Sequence, residues 1–198
     1  MSSDHTVELF VIKCAVIEAG LRATLSEFPD TNAAARGEFF DERIEPYIRQ
    51  FALENRSNAG KMARYYEIFY MLENDIRRLI SETLEAAHGP RWWDSHVSPT
   101  VKQEAQTNQS REAKAGVTAR SDDEIDYTTF GQLGDIIRDN WSDFAGMLSN
   151  ASAMGRVLSS LNTLRGTIAH CGLLAEDEVD RLKLAIRDWF RVLEGPKS

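Results

Sequence analysis

Between residues 61 and 87, Tyr65, Phe69, Leu72, Ile76, Leu79 and Thr83 recur at steps of three and four. At 3.6 residues per turn this spacing gathers them on one face, which predicts a long amphipathic helix. The rhythm returns over 127–148, where Phe130, Leu133, Ile136, Ile137, Trp141, Phe144 and Leu148 share a broad apolar face. Over 176–193 it returns through Val179, Leu182, Ile186, Trp189, Phe190 and Leu193, behind an acidic first turn of Glu176, Asp177 and Glu178 that suits the helix dipole. A fourth stripe, Val157, Leu161, Leu164, Ile168 and Cys171, predicts a helix over 152–171 that buries those residues. No stretch alternates with a period of two. The expected fold is therefore all-α, an up-and-down helical bundle whose last three helices, joined by short links, are antiparallel neighbours.

Turn signals divide the rest. Helices are expected over 7–25 and 35–54, separated by Pro29-Asp30-Thr31-Asn32, with Pro46 starting the second late or kinking it. The stretch "NRSNAG" (55–60) reads as a turn and as the internal boundary, giving an N-terminal helical extension, 1–60, and a bundle, 61–198. Gly89-Pro90 closes the long helix. Ser98 followed by Pro99 is a capping start signal for a helix over 99–114, so polar that it is either a protruding arm or marginally stable. Residues 116–125 read as a mobile acidic loop.

Composition narrows the functional classes. The chain has 198 residues, 42% hydrophobic and 27% charged, enough for one sizeable core. Its net charge of −8 argues against binding nucleic acid over a broad basic face, but leaves room for a local cationic pocket. Cys14 and Cys171 have no CxxC spacing, and His5, His88, His96 and His170 form no zinc-ligand pattern, so reduced thiols and no metal are expected. The longest apolar run, 9–21, is interrupted by Lys13 and Glu18 and is shorter than the ~20 residues of a membrane span. With no secretory leader pattern, a cytoplasmic protein without membrane contact is expected.

The stretch "LNTLRGTIAHCGLL" (161–174) carries the candidate chemistry. On a helical wheel Arg165 falls between the core stripe and the outer face, about 140° from His170. Gly172 reads as the C-terminal cap, which puts His170 in the last turn; histidine is the side chain that gains and loses a proton near neutral pH. Gly166 lies one turn before His170 on the outer face. A mid-helix glycine costs about 1 kcal/mol relative to alanine, which close approach of another backbone, a partner helix or a substrate would offset. Cys171, on the core stripe, reads as a small buried apolar residue.

Together with "YEIFYMLENDIRRLI" (66–80), "RWWDSHV", "DYTTFGQLGDIIRDNWSDF" (126–144) and "RLKLAIRDWFRVL", the segment "LNTLRGTIAH" resembles HEPN domains (higher eukaryotes and prokaryotes nucleotide-binding) of the Swt-type branch. The resemblance covers about 61–193. It implies a helical bundle that dimerises so that two Arg-x4-His motifs face one cleft. Many such domains are endoribonucleases of toxin–antitoxin, abortive-infection and RNA-processing systems that need no metal or cofactor. Arg165 and His170 occupy the motif positions. The residue after the arginine is usually polar in active members and here is Gly166; the tyrosine that some related toxins carry two residues after the histidine is here Gly172.

The implied partners are RNA, a second copy of the chain, and an antitoxin or regulatory protein. The implied activity is ribonuclease; a catalytically inactive HEPN domain that binds RNA, nucleotide or a partner protein is the alternative, and a purely structural dimerisation module a third reading. Residues 1–60 are outside the resemblance, and are expected to add two helices that widen the dimer contact or dock a regulator. Several side chains carry two readings. Glu73 and Arg77 are either a surface i,i+4 pair or, through Glu73, a means of orienting Arg165 or His170. Asn162 either contacts RNA or a dimer mate, or is solvated. Lys102, Arg111, Lys114 and Arg120 are either a solvated arm or an electrostatic contact for RNA, diluted by Asp122, Asp123, Glu124 and Asp126. Trp92, Trp93, Trp141 and Trp189 are expected to pack in the core rather than stack on bases.

Overall fold

The computed structural model describes residues 43–195, and among them every regular element is helical. The expected helix over 7–25 and most of that over 35–54 lie outside these residues. The described elements are α1 (Glu45–Ile48), α2 (Leu53–His88), α3 (Trp92–His96), α4 (Pro99–Lys114), a 3-10 turn (Glu124–Tyr127), α5 (Phe130–Asp139), α6 (Trp141–Phe144), α7 (Ala151–Ala169) and α8 (Glu176–Leu193). The chain divides into two compact units after Ala52. The second unit, which begins with α2, holds the bundle.

Residues 55–60, expected to form a turn, lie inside α2 instead. Asn, Ser and Gly are turn residues only when nothing else decides, and a helix as long as α2 overrides a local cost of about 1 kcal/mol for Gly60. The compositional boundary therefore lies within a helix, and the division of the chain precedes it. Of the stripe expected on α2, Phe69, Leu72, Ile76 and Thr83 are buried and Tyr65 and Leu79 lie half-buried at its edge; Ile80 and Leu84, which the expected stripe leaves out, are fully inaccessible, so the core face is rotated slightly toward them.

Against this stripe pack α5, α6 and α7, and α8 packs on α7. The helix expected over 127–148 is broken into three pieces. Thr129 starts α5 with a capping box, its hydroxyl accepting from the Gln132 backbone N–H while the Gln132 side chain accepts from that of Thr129. Asn140 closes α5: its backbone N–H bonds the Ile136 carbonyl, and its buried side chain donates to the same carbonyl and to that of His96, tying the helix end to α3. The apolar face nevertheless stays continuous, because Phe130, Leu133, Ile136, Ile137, Phe144 and Leu148 are all buried.

The polar helix α4 does not protrude. Ser98 caps it as expected, Val101 and Ala105 are buried, and it lies against the 3-10 turn. Asn108 donates to the Tyr127 carbonyl and Gln132 Nε2 donates to Glu104, so polar contacts do what an apolar face does elsewhere. The acidic loop before the turn is tethered: Arg120 bonds both Glu112 oxygens, the Tyr127 hydroxyl donates to the Ser121 carbonyl, and Ile125 is buried. Trp92 and Trp189 are core residues, and Trp93 and Trp141 pack against the core from its edge. Phe190, expected on the core face of α8, is 59% exposed, because its neighbour Trp189 takes the inward direction.

Two adjacent residues at the end of α7 exchange their expected places. Cys171, not Gly172, adopts the left-handed conformation, with φ 59°. The Cys171 N–H donates to the Ile168 carbonyl and the Gly172 N–H to the Thr167 carbonyl, the paired bonds of a Schellman ending. Cys171 is thereby exposed rather than buried. Gly172 is needed for space: a Cβ there would stand 2.8 Å from Thr167 Cγ2 and 3.0 Å from the Thr167 carbonyl oxygen.

Candidate functional site

Leu161 and Leu164, both buried, fix the rotation of α7 on the core. Arg165 follows Leu164 and so leaves the core at the edge that faces α2. There it meets Glu73, which is flanked by the buried Leu72 and one turn from the buried Ile76. Arg165 Nε donates to Glu73 Oε2 at 2.8 Å, and Arg77 Nη2 donates to Glu73 Oε1 at 2.5 Å. One carboxylate thus holds two guanidinium groups, each oxygen serving one of them.

The three side chains differ in access. Glu73 and Arg77 are 12% and 14% exposed, whereas Arg165 is 35% exposed. Arg77 is further committed: Nη2 also donates to the Thr128 carbonyl at 3.2 Å, and its buried Nε faces Asp126 Oδ1 at 3.8 Å without a hydrogen bond. Among the described residues Arg165 is bound through Nε alone. Its two terminal nitrogens have no partner among the described residues, so its charge is aimed while its best donors stay open.

These groups line a cleft of about 360 Å³, which Tyr66, Tyr70 and Arg120 also border. A second hollow of about 520 Å³ shares Glu73, Arg77, Arg120 and Arg165 with it and extends to Arg111 on α4. Arg120 is oriented by Glu112 and lies over the Tyr127 ring, 5.1 Å from its centroid. Of the four basic residues considered on the polar arm, Arg111 and Arg120 border this surface. Lys102 is turned to the Asp94 carbonyl, and Lys114 lines neither hollow.

The other sequence candidates lie elsewhere. His170 is exposed and caps the C-terminus of α7, just past its last residue; its imidazole has no hydrogen-bond partner among the described residues and does not line the Arg165 cleft. Asn162 borders a separate hollow of about 310 Å³ formed with α5, where it lies close to Gly131. At Gly166 an added Cβ would meet nothing within 4 Å among the described residues, so no packing among them requires that glycine. Asp126, Thr128 and Glu112 join the site without any motif to mark them, since their roles arise from contacts between distant segments. Among the described residues no three His, Cys, Asp or Glu side chains are grouped to hold a metal ion.

Residues 67–194 match the family model described as Swt1-like HEPN. The chain belongs to this family. The HEPN match runs from within α2 to the end of α8, so it includes Glu73, Arg77, Arg165 and His170. It supports a ribonuclease or nucleotide-binding role for the domain. No curated protein and no solved structure matches the chain. Among the described residues no helix is long and apolar enough to cross a membrane.

Proposed function

We propose that this HEPN domain is a metal-independent endoribonuclease acting as a homodimer, serving as a toxin or anti-phage defence effector. The observation that carries the reading is the state of Arg165: Glu73 fixes it through Nε, and its terminal nitrogens open on a cleft shared with Arg77 and Arg120. In the reaction, His170 takes the proton of a ribose 2′-OH and the oxygen attacks the adjacent phosphorus. The 5′-oxygen then leaves with a proton, giving a 2′,3′-cyclic phosphate and a 5′-hydroxyl. Arg165 stabilises the charge that develops on the phosphorane, which preorganised donors do best where they need not reorient. Pairing of two copies brings their Arg165 and His170 residues to one cleft, and residues 1–60 widen that contact or dock an antitoxin or other regulator.

The test is cleavage of RNA in EDTA by the full chain and by His170→Ala. The expected result is cleavage by the wild type to cyclic-phosphate ends, with a loss of roughly 10²- to 10⁴-fold on substitution. Intact RNA with both proteins would overturn the nuclease reading. A second reading, a silent HEPN domain that binds RNA, nucleotide or a partner, is favoured by one observation: the His170 ring has no group to orient it within the described chain. Binding without cleavage in the same experiment selects it.

A further inference from the structure

The cleft beside Arg165 has one wall that the proposed chemistry does not use. Tyr66 and Tyr70 stand one turn apart on α2, both 62% exposed, with ring centroids 6.4 Å apart and planes tilted by 39°. Neither hydroxyl has a hydrogen-bond partner among the described residues. They continue directly into the charged part of the site, because Tyr66, Tyr70, Glu73 and Arg77 follow one another at steps of four, three and four along the same helix edge. The core stripe of α2 runs beside them through Phe69 and Leu72 and does not include them.

An exposed tyrosine is ordinary. A pair of open rings on one wall of a cleft whose other groups include Arg77, Arg120 and Arg165 is a specific combination. Flat aromatic faces bind the faces of nucleobases, and guanidinium groups bind the phosphates between them. Tyr70 precedes Glu73 by one turn, so its ring and the open end of Arg165 are separated by roughly the 5–6 Å between neighbouring side chains on a helix face, plus the reach of the arginine. Asn74, bordering the same cleft, donates through Nδ2 to the Tyr70 carbonyl, which leaves Oδ1 free toward a base edge.

We infer that Tyr66 and Tyr70 form a base-stacking platform that holds single-stranded RNA with a phosphate against Arg165. The occupant is single-stranded because a duplex hides its base faces. Neither tyrosine touches the reacting atoms in this scheme; both position the strand. The inference rests on the RNA reading given above and adds to it where the strand lies and which strands are accepted.

The experiment measures binding of labelled short oligoadenylate, and of a ribose-phosphate strand of equal length without bases, to the full chain carrying His170→Ala, in EDTA. The expected result is preference for the strand with bases, and a loss of roughly tenfold for each ring removed in Tyr66→Ala and Tyr70→Ala. Tyr→Phe at either position should retain the affinity, because it keeps the ring face; Tyr→Leu should lose it, because it keeps only apolar area. Thermal melting checks that the variants fold, as expected for exposed positions. Equal binding of the two strands, or full affinity in the double alanine variant, would overturn the platform and leave the nuclease reading standing. If the double variant changes oligomeric state in sedimentation while each chain still binds RNA as before, the face is a protein interface and the platform is overturned. No binding of any strand by the starting protein would overturn the RNA reading itself, and this inference with it.

Discussion

Glu73 and Arg165 are ninety-two positions apart in the chain and form a 2.8 Å charged hydrogen bond in the fold. The same carboxylate also bonds Arg77, so it keeps two like charges together in a partly buried place where they would otherwise repel. Removing the acid leaves Arg165 without a partner among the described residues and leaves the largely desolvated Arg77 with only the Thr128 carbonyl and the more distant Asp126. Glu73→Ala should therefore destabilise the fold by about 1–3 kcal/mol, read as a lower urea midpoint at unchanged slope. Glu73→Gln, which still accepts a hydrogen bond, should lose less. Equal stability of wild type and Glu73→Ala would show that the pair holds nothing in place.

The break between α5 and α6 makes a second, purely structural prediction. Asn140 is buried and its amide bridges the Ile136 and His96 carbonyls, linking the end of α5 to α3. Alanine there leaves two acceptors without that donor. Asn140→Ala should cost about 1–3 kcal/mol, more than truncation of an exposed polar residue. A change within about 0.5 kcal/mol in chemical denaturation would mean that water replaces the amide without loss.

The core of this fold is legible in the sequence because burial leaves a period. Phe69, Leu72 and Ile76 on α2, or Leu161 and Leu164 on α7, can be assigned to the core by counting alone. Breaks are harder: Asn140 ends a helix through a contact with a residue forty-four positions away, and nothing local separates it from Asn55, which continues one. The site shows the same division. Arg165 and His170 are visible as a motif, and Glu73 as an acid on a neighbouring helix, but the choice of Arg165 rather than His170 as its partner is a property of how α7 is rotated on α2. Asp126 and Thr128 join Arg77 only through tertiary packing.

The ending of α7 yields two effects of opposite sign on neighbouring residues. Cys171 holds a left-handed conformation that disfavours any side chain, so Cys171→Gly should stabilise the fold by about 0.5–1 kcal/mol, which is roughly 1–4 °C in melting temperature. Gly172 has ordinary backbone angles but no space. Gly172→Ala drives a methyl into Thr167, and should destabilise by about 1–3 kcal/mol. Thermal melts of the two variants under reducing conditions check both. The same direction of change in both would mean that the helix does not end in this geometry in solution.

For the proposed nuclease, Gly166 is the position at which the motif departs from active HEPN domains. The residue after the motif arginine is usually polar in active HEPN domains, and nothing within 4 Å of a Cβ at Gly166 would resist a side chain. Asparagine there removes the flexibility of a mid-helix glycine, so Gly166→Asn should fold with stability equal to or a few tenths of a kcal/mol above the wild type. It also supplies a polar group on the helix that carries both Arg165 and His170. If the missing group limits the reaction, RNA cleavage in EDTA should rise in Gly166→Asn and return to background when His170→Ala is added. Gly166→Ala separates the polar group from mere loss of flexibility, because it gains helix stability without a donor or acceptor, and cleavage should not rise. If instead asparagine and alanine lower cleavage alike in folded protein, Gly166 is required for the close approach of RNA or of the second copy of α7. The absence of any neighbour at that position among the described residues would then be the imprint of what approaches it.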